Sequence, residues 1–280
     1  MHPITSAKEM TTLSKAARGA GRRLGFVPTM GALHEGHLSL VRLARAQCDL
    51  VVVSIFVNPA QFGPNEDFFR YPRTFEQDSV MLAAEGADYV FFPAVEEIYA
   101  ADAATWVTVE GLTGKLDGRS RPGHFRGVTT VVAKLFNIVQ PDLAFFGQKD
   151  GAQVAIIRRM VRDLHFDVGI VAGPIVREAD GLAMSSRNIY LDAAQRQQAL
   201  ILHRSLQQVN RLAAGGERCA ARLLAAGKEE MAREPGVRLD YFEIVDWETL
   251  DPLPDVKPGT LVAVAAYVGT TRLIDNIILP

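Results

Sequence analysis

Short apolar blocks alternate along the chain with stretches in which apolar residues recur every three or four positions. The blocks are Leu24–Val27, Leu50–Val57, Tyr89–Phe92 and Leu143–Phe146, and the second is almost wholly apolar and rich in β-branched residues. Runs without polar alternation belong to strands buried on both faces. Helical spacing fills the intervals: Thr5 to about Ala20, Gly36–Gln47, Thr74–Glu85, Val128–Val139, and a helix with Ile157, Met160, Val161 and Leu164 on one face. Strand, helix and buried strand in succession make a βαβ unit and a parallel sheet. Ligands of such sheets sit at the carboxyl ends of the strands. Trp106–Val109 and Phe166–Val171 read as two further strands.

From Asp192 the pattern changes. Asp192 and Gln195 form a helix-capping pair, followed by a long helix with Leu202, Leu206, Val209 and Ala213 on one face. A second helix covers about Arg218–Arg233. Leu239–Val245, Leu261–Val268 and Arg272–Leu279 then read as antiparallel strands with Pro- or Gly-containing connections. The expected fold is α/β: a Rossmann-like parallel-sheet nucleotide-binding domain over residues 1–175, and a smaller C-terminal α/β lid domain with antiparallel strands over 176–280.

Composition narrows the function. The chain has 280 residues, 48% hydrophobic and 22% charged, with a formal net charge of −2. That balance gives no electrostatic case for nucleic acid or a membrane surface. Cys48 and Cys219 stand in no metal or redox spacing, so reduced core or near-core thiols are expected. The N-terminus lacks an apolar signal core and no apolar run approaches a membrane span, which predicts a cytoplasmic protein.

The chemistry concentrates at Phe26–His37, a strand that Pro28 stops, a turn with Gly31 and Gly36, and a helix start carrying His34 and His37. Residues three apart in a first helical turn share a face, and a helix N-terminus attracts anions such as phosphate. Two other readings are a metal pair, for which no third ligand stands nearby, and ordinary helix capping. The next strand delivers Asn58 and Gln61, amides suited to hydroxyls and a carboxylate, or in the plainer reading a turn cap before Pro59. Arg119–Gly127 reads as a basic, glycine-punctuated loop, either drawing in an anionic substrate or solvated, with its arginines paired to acidic residues elsewhere. The strand ending at Phe146 runs into Gly147, Gln148, Lys149 and Asp150, with Gln153 one turn into the following helix. Met184-Ser185-Ser186-Arg187 supplies hydroxyls and a cation, the groups needed to close over a triphosphate.

His34-Glu35-Gly36-His37 resembles the His-x-Gly-His signature of the nucleotidyltransferase superfamily, and Met184–Arg187 resembles that superfamily's Lys-Met-Ser-Lys-Ser loop. At finer grain, Pro28–His37, Phe56–Phe62, Arg121–Gly127, Phe146–Asp150 and Met184–Asn188 resemble, in order, the motifs of the pantoate–β-alanine ligases. The resemblance covers essentially the full chain; Phe69 departs from it where that family usually has a charged residue. It implies ATP-dependent condensation of pantoate with β-alanine through a pantoyl adenylate, releasing AMP and pyrophosphate. By resemblance Pro28, Met30, Gly31, Ala32, Leu33, His34, Glu35, Gly36 and His37 line the ATP site, and His37 is the candidate proton donor. Gly147, Gln148, Lys149, Asp150, the Val176 backbone, Met184, Ser185, Ser186 and Arg187 hold ATP. His34, His37, Lys149, Ser185, Ser186 and Arg187 form the implied catalytic set. Gln61, Gln153 and Asn58 would bind pantoate, and Gln61 also β-alanine. Mg²⁺ is expected to bridge phosphate oxygens with few protein ligands, Asp150 being the candidate, and the family is typically homodimeric.

Two other classes share these loops. A nucleotidyltransferase would keep the nucleotide on its product and release no free AMP. A non-catalytic nucleotide-binding protein would dispense with His37, Lys149 or Ser186, all of which are present.

Overall fold

The computed structural model describes residues 1–64 and 66–280. Two compact units emerge: Met1–Gly114, Arg121–Gly147 and Ile156–Gly173 form the first, and Lys115–Ser120, Gln148–Ala155 and Pro174–Pro280 the second. The C-terminal part thus gathers two short segments that lie earlier in the chain than residue 176.

The first unit is built on six parallel strands: β1 (His2–Ile4), β2 (Leu24–Thr29), β3 (Leu50–Ile55), β4 (Tyr89–Phe91), β5 (Leu143–Gly147) and β6 (Gly169–Gly173). Their order is β1-β4-β3-β2-β5-β6. All six residues of β3 are buried, as its unbroken apolar run requires. Between the strands run α1 (Ala7–Gly19), α2 (Glu35–Arg45), α3 (Phe75–Ala84), the single turn α4 (Val95–Ile98) and α6 (His124–Val139), where α5 is the turn Asp117–Ser120 of the second unit. The chain leaves β2 toward β3 on one side and reaches β5 on the other, so the topological switch point opens beside the carboxyl end of β2.

Three local expectations are corrected, and one strand was not expected. Trp106–Val109 is not a strand: Val107 N–H donates to the Thr130 hydroxyl at 3.0 Å and Val107 C=O accepts from Thr129 at 2.6 Å, so α6 hydroxyls replace a neighbouring ladder. The segment Arg119–Gly127 is not one loop, because α5 and the first turn of α6 occupy its ends, joined through Gly123 at φ 84°. Phe166–Val171 forms its strand later, at Gly169–Gly173: His165 turns the chain at φ 54° and Phe166 packs on Phe136 instead. Strand β1, paired with β4 at the sheet edge, is three residues long and leaves no periodic trace.

The second unit carries α8 (Ala193–Ala214), α9 (Ala220–Met231) and the antiparallel sheet β7 (Val237–Val245), β8 (Leu261–Val268) and β9 (Thr271–Ile278). The expected Asp192–Gln195 capping box starts α8, with Asp192 accepting from Gln195 N–H at 2.8 Å and Gln195 from Asp192 N–H at 3.2 Å. Leu202, Leu206, Val209 and Ala213 join Leu223, Phe242, Val262 and Val264 in one apolar cluster. The helix α7 (Gly151–Asp163) begins in this unit and ends in the first. Cys48 is buried and both cysteines are unbonded; burial pushes the Cys48 thiol up. Among the described residues, no helix is long and apolar enough to cross a membrane.

Candidate active site

The turn after β2 is fixed by hydroxyl and carboxylate side chains. The Thr29 hydroxyl donates to Ser54 C=O at 2.7 Å and accepts from Gly31 N–H at 3.1 Å. Gly31 takes φ 80°, and a Cβ there would lie 3.0 Å from both Asp78 and Ile55, so a side chain would be strained by conformation and crowded by its neighbours. Ala32 follows with φ 50°. Fully buried Asp78, on α3, accepts the N–H groups of Ala32 and Leu33 at 2.9 Å each and the Thr74 hydroxyl at 3.2 Å. The sequence reading missed Asp78. Its signal was a carboxylate on the same helical face as buried Leu82, where solvation cannot explain a charge.

The two histidines are both caps and candidate ligand groups. His34 is the N-cap of α2; its Nδ1 accepts from Gly36 N–H at 3.2 Å, while its own N–H donates to His37 Nδ1 at 3.3 Å. The rings lie 4.1 Å apart between centroids. An imidazole that accepts at Nδ1 carries its proton on Nε2 when neutral. The cap therefore selects, in both rings, the tautomer that donates from the edge farther from the backbone.

Asn58 and Gln61 form a linked pair. Asn58 is 1% exposed and all its side-chain capacity is used: Nδ2 donates to Gln61 Oε1 at 3.0 Å and Gly127 C=O at 3.1 Å, and Oδ1 accepts from Ala60 N–H at 3.2 Å and the Tyr99 hydroxyl at 2.9 Å. Burial raises Tyr99 to about 12, so the phenol stays a donor at neutral pH. With its amide oriented by Asn58, Gln61 turns its Nε2 to the Met30 sulfur at 3.2 Å, a weak acceptor that a ligand oxygen would outcompete. The expected ligand contact of Asn58 thus becomes a hold on Gln61.

Behind Gln61 lies part of the expected basic loop. Arg121 grips Glu66 through two bonds of 2.7 Å and contacts His124 Nε2 at 3.0 Å; His124 Nδ1 meets Gln61 C=O at 2.9 Å. A guanidinium only donates and a carbonyl only accepts, so this arrangement suits neutral His124 protonated on Nδ1. Burial raises Glu66, but the bonds and charge of Arg121 outweigh it and leave the carboxyl below its ordinary range. Arg126 instead stacks on Trp106, 4.3 Å from the ring centroid, and Arg119 pairs with Glu243 at 2.5 Å within the second unit. Phe69 is 92% exposed and lies edge-on to Phe68, which in turn packs on Phe62.

Gly127 makes the Gln61 turn possible. A Cβ at Gly127 would overlap the Ala60 carbonyl and sit 2.6 Å from Gln61 Cα. Gly→Ala within a helix ordinarily stabilises by about 1 kcal/mol. Here Gly127→Ala is expected to destabilise by roughly 1–3 kcal/mol and, where Gln61 serves as a ligand group, to raise KM for that ligand. Chemical denaturation and steady-state kinetics check both; a more stable variant with unchanged KM would remove Gly127 from the site.

The other expected groups belong to the second unit, apart from Gly147, which ends β5. Gln148, Lys149 and Asp150 form a 3-10 turn at the head of α7, and Gln153 is that helix's third residue. Val176 C=O accepts from Met184 N–H at 3.0 Å, and Arg177 bridges Ala183, so residues 176–184 form a small hairpin. Out of it come Ser185, whose hydroxyl accepts from Arg187 N–H at 3.2 Å, then Ser186 and Arg187 in a 3-10 turn. Within the first unit the structure joins Met30, His34, His37, Gln61 and Asn58; within the second it joins the Gln148–Gln153 and Val176–Arg187 groups.

Known proteins match the chain over its whole length. The family model described as Pantoate-beta-alanine ligase matches residues 2–278. The pantothenate synthetase of Koribacter versatilis is 60% identical, covering 100% of this chain and 96% of that protein. That of Thermotoga neapolitana is 56% identical with complete coverage of both. Among solved structures, the pantothenate synthetase of Thermus thermophilus superposes with a TM-score of 0.93 at 48% identity, covering 100% of each chain. The pantoate–β-alanine ligase of Francisella tularensis, determined with β,γ-ATP and β-alanine, has a TM-score of 0.81 at 32% identity, covering 99% of this chain and 97% of its own. On its motifs, its fold and these matches, the chain belongs to the pantoate–β-alanine ligase family.

Proposed function

We propose that this enzyme joins pantoate to β-alanine in two ATP-dependent steps, using residues at the ends of β2 and β5 and on the Met184–Arg187 turn. The pantoate carboxylate attacks the α-phosphate of ATP, forming pantoyl adenylate and expelling pyrophosphate. The amine of β-alanine then attacks the acyl carbon, forming the amide and expelling AMP.

The observation that carries the residue-level reading is the capped histidine pair. Two Nε2–H donors, beside a helix N-terminus that favours anions, suit the phosphate charge that grows as pyrophosphate departs. In this reading Pro28–His37 line the ATP site, with His34 and His37 on phosphate oxygens and His37, the candidate proton donor, giving its Nε2–H as a hydrogen bond without releasing the proton. Gly147, Lys149, Asp150, the Val176 backbone, Met184, Ser185, Ser186 and Arg187 hold the rest of the nucleotide. Gln61 and Gln153 bind pantoate, Gln61 also reaches β-alanine, and Asn58 orients Gln61. Holding both reactants so that attack is in line, away from water, contributes to the acceleration and protects the mixed anhydride.

The described residues contain no group of three or more His, Cys, Asp or Glu side chains able to hold a metal. Mg²⁺ fits such a site when its ligands are phosphate oxygens and waters plus one carboxylate, here Asp150, and it would neutralise phosphate charge. We further assign a homodimer working in the cytoplasm, with ATP, pantoate and β-alanine as its small-molecule partners.

The test is a product assay with ATP, Mg²⁺ and pantoate, with and without β-alanine, followed by mass detection. AMP and pantothenate are expected to accumulate together only when β-alanine is present, with enzyme-bound adenylate in its absence. Intact ATP, or a nucleotide that stays on a stable product, would overturn the reading.

A further inference from the structure

Asp275 and Asn276 are consecutive residues of β9, each 3% exposed, in a strand whose other buried positions are apolar or a threonine. Consecutive strand residues point to opposite faces of a sheet. Leu273 and Ile277 belong to the apolar cluster shared with α8, so Asp275 lies on that helix-covered side. Asn276 lies on the other, with Arg272, whose guanidinium pairs with Asp117 and Asp240.

Each reaches a different loop. Arg177 grips the Asp275 carboxylate with two bonds, 2.7 and 3.0 Å, and the same guanidinium donates to Gly181 C=O at 3.1 Å. The contact clasps both sides of the hairpin 176–184, which delivers Ser185, Ser186 and Arg187. On the opposite face Asn276 Nδ2 donates to the carbonyls of Gln148 and Lys149, both at 2.9 Å, and Oδ1 accepts from Gln148 Nε2 at 3.2 Å. In a trans peptide C=O and the next N–H point in opposite directions. Fixing the Gln148 and Lys149 carbonyls on β9 therefore turns the N–H groups of Lys149 and Asp150 away from it. The Gln148 side chain is itself bound to Asn276 through Nε2.

We infer that Asp275 and Asn276 are positioning residues for ATP: one strand dipeptide sets both nucleotide-binding segments of the second unit, the Ser185–Arg187 turn through Arg177 and the Lys149–Asp150 amides through their carbonyls. The inference rests on the ATP reading given above. It makes the C-terminal sheet the template of the triphosphate site. A mutation on β9, without touching substrate, acts on nucleotide binding.

The test compares Asn276→Ala and Asn276→Ser with Lys149→Ala in the full-length enzyme, measuring KM for ATP and β-alanine, single-turnover pyrophosphate release, and amide formation from supplied pantoyl adenylate. Asn276→Ala is expected to raise KM for ATP roughly tenfold or more, with KM for β-alanine and the second step changed less than about threefold. Asn276→Ser keeps one donor and is expected between Asn276→Ala and the parent; it carries the test if the alanine variant does not fold. A purely structural role would lower the active fraction and leave every KM in place, which overturns the inference. So would an unchanged KM for ATP beside a damaged Lys149→Ala. If Lys149→Ala is itself unimpaired, it is the ATP reading that fails.

Discussion

His37→Ala is expected to slow adenylate formation by about 10²–10³-fold, the usual loss when one donor to a developing anion is removed. The same substitution removes the acceptor for His34 N–H, so it also weakens the start of α2, by about 1 kcal/mol as for other lost caps. The two effects separate with His37→Gln. Glutamine is a natural third residue of a capping box and can take back the His34 N–H. His37→Gln should therefore restore stability while leaving pyrophosphate release in a single turnover as slow as in the alanine variant. If glutamine restores the rate as well, the imidazole serves only as a cap and its assignment as donor to the phosphate falls.

Asp78→Ala should be the most destabilising single change near the site. It strands the N–H groups of Ala32 and Leu33 in a buried turn, at about 1–3 kcal/mol each. At roughly 2–4 °C per kcal/mol for a chain of this size, Tm should drop by about 4–24 °C. Because that turn leads into His34, a displacement near 1 Å would cost about 10²-fold in kcat/KM for ATP. Asp78→Asn keeps one acceptor oxygen but sets an NH₂ group against a backbone donor, and should fall between the parent and the alanine variant. Calorimetry and ATP kinetics on both variants check this. A fully active, fully stable Asp78→Ala protein would mean that Gly31 and Thr29 hold the turn alone.

These expectations differ in how far the sequence reached them. The histidine pair was legible because capping, anion affinity and i, i+3 spacing are local properties of a dozen residues. What sequence could not decide was whether capping and ligand binding compete. The geometry makes them compatible, since Nδ1 serves the backbone and Nε2 keeps the proton. Asn58 was legible as an amide at a strand's carboxyl end, but not as one whose partners Tyr99 and Gly127 lie 41 and 69 residues away. The Arg119–Gly127 segment stayed ambiguous for a related reason. Its arginines look alike in sequence, yet Arg121 binds Glu66, Arg126 stacks on Trp106 and Arg119 pairs with Glu243 of the second unit.

The sequence by itself determined the order of the long buried strands, the faces of the long helices, the capping box of α8, and the family. Each of these depends on neighbours within about one or two turns of chain, or on motifs kept in order. Only the tertiary structure decided which polar groups hold the site in shape. Asp78, Tyr99, Gly127, Asp275 and Asn276 act through atoms far away in sequence, and most are single residues with no motif around them. The physical reason is burial. An isolated polar residue in an apolar segment shows that it must have a partner, but the partner is chosen by the packing of the sheets.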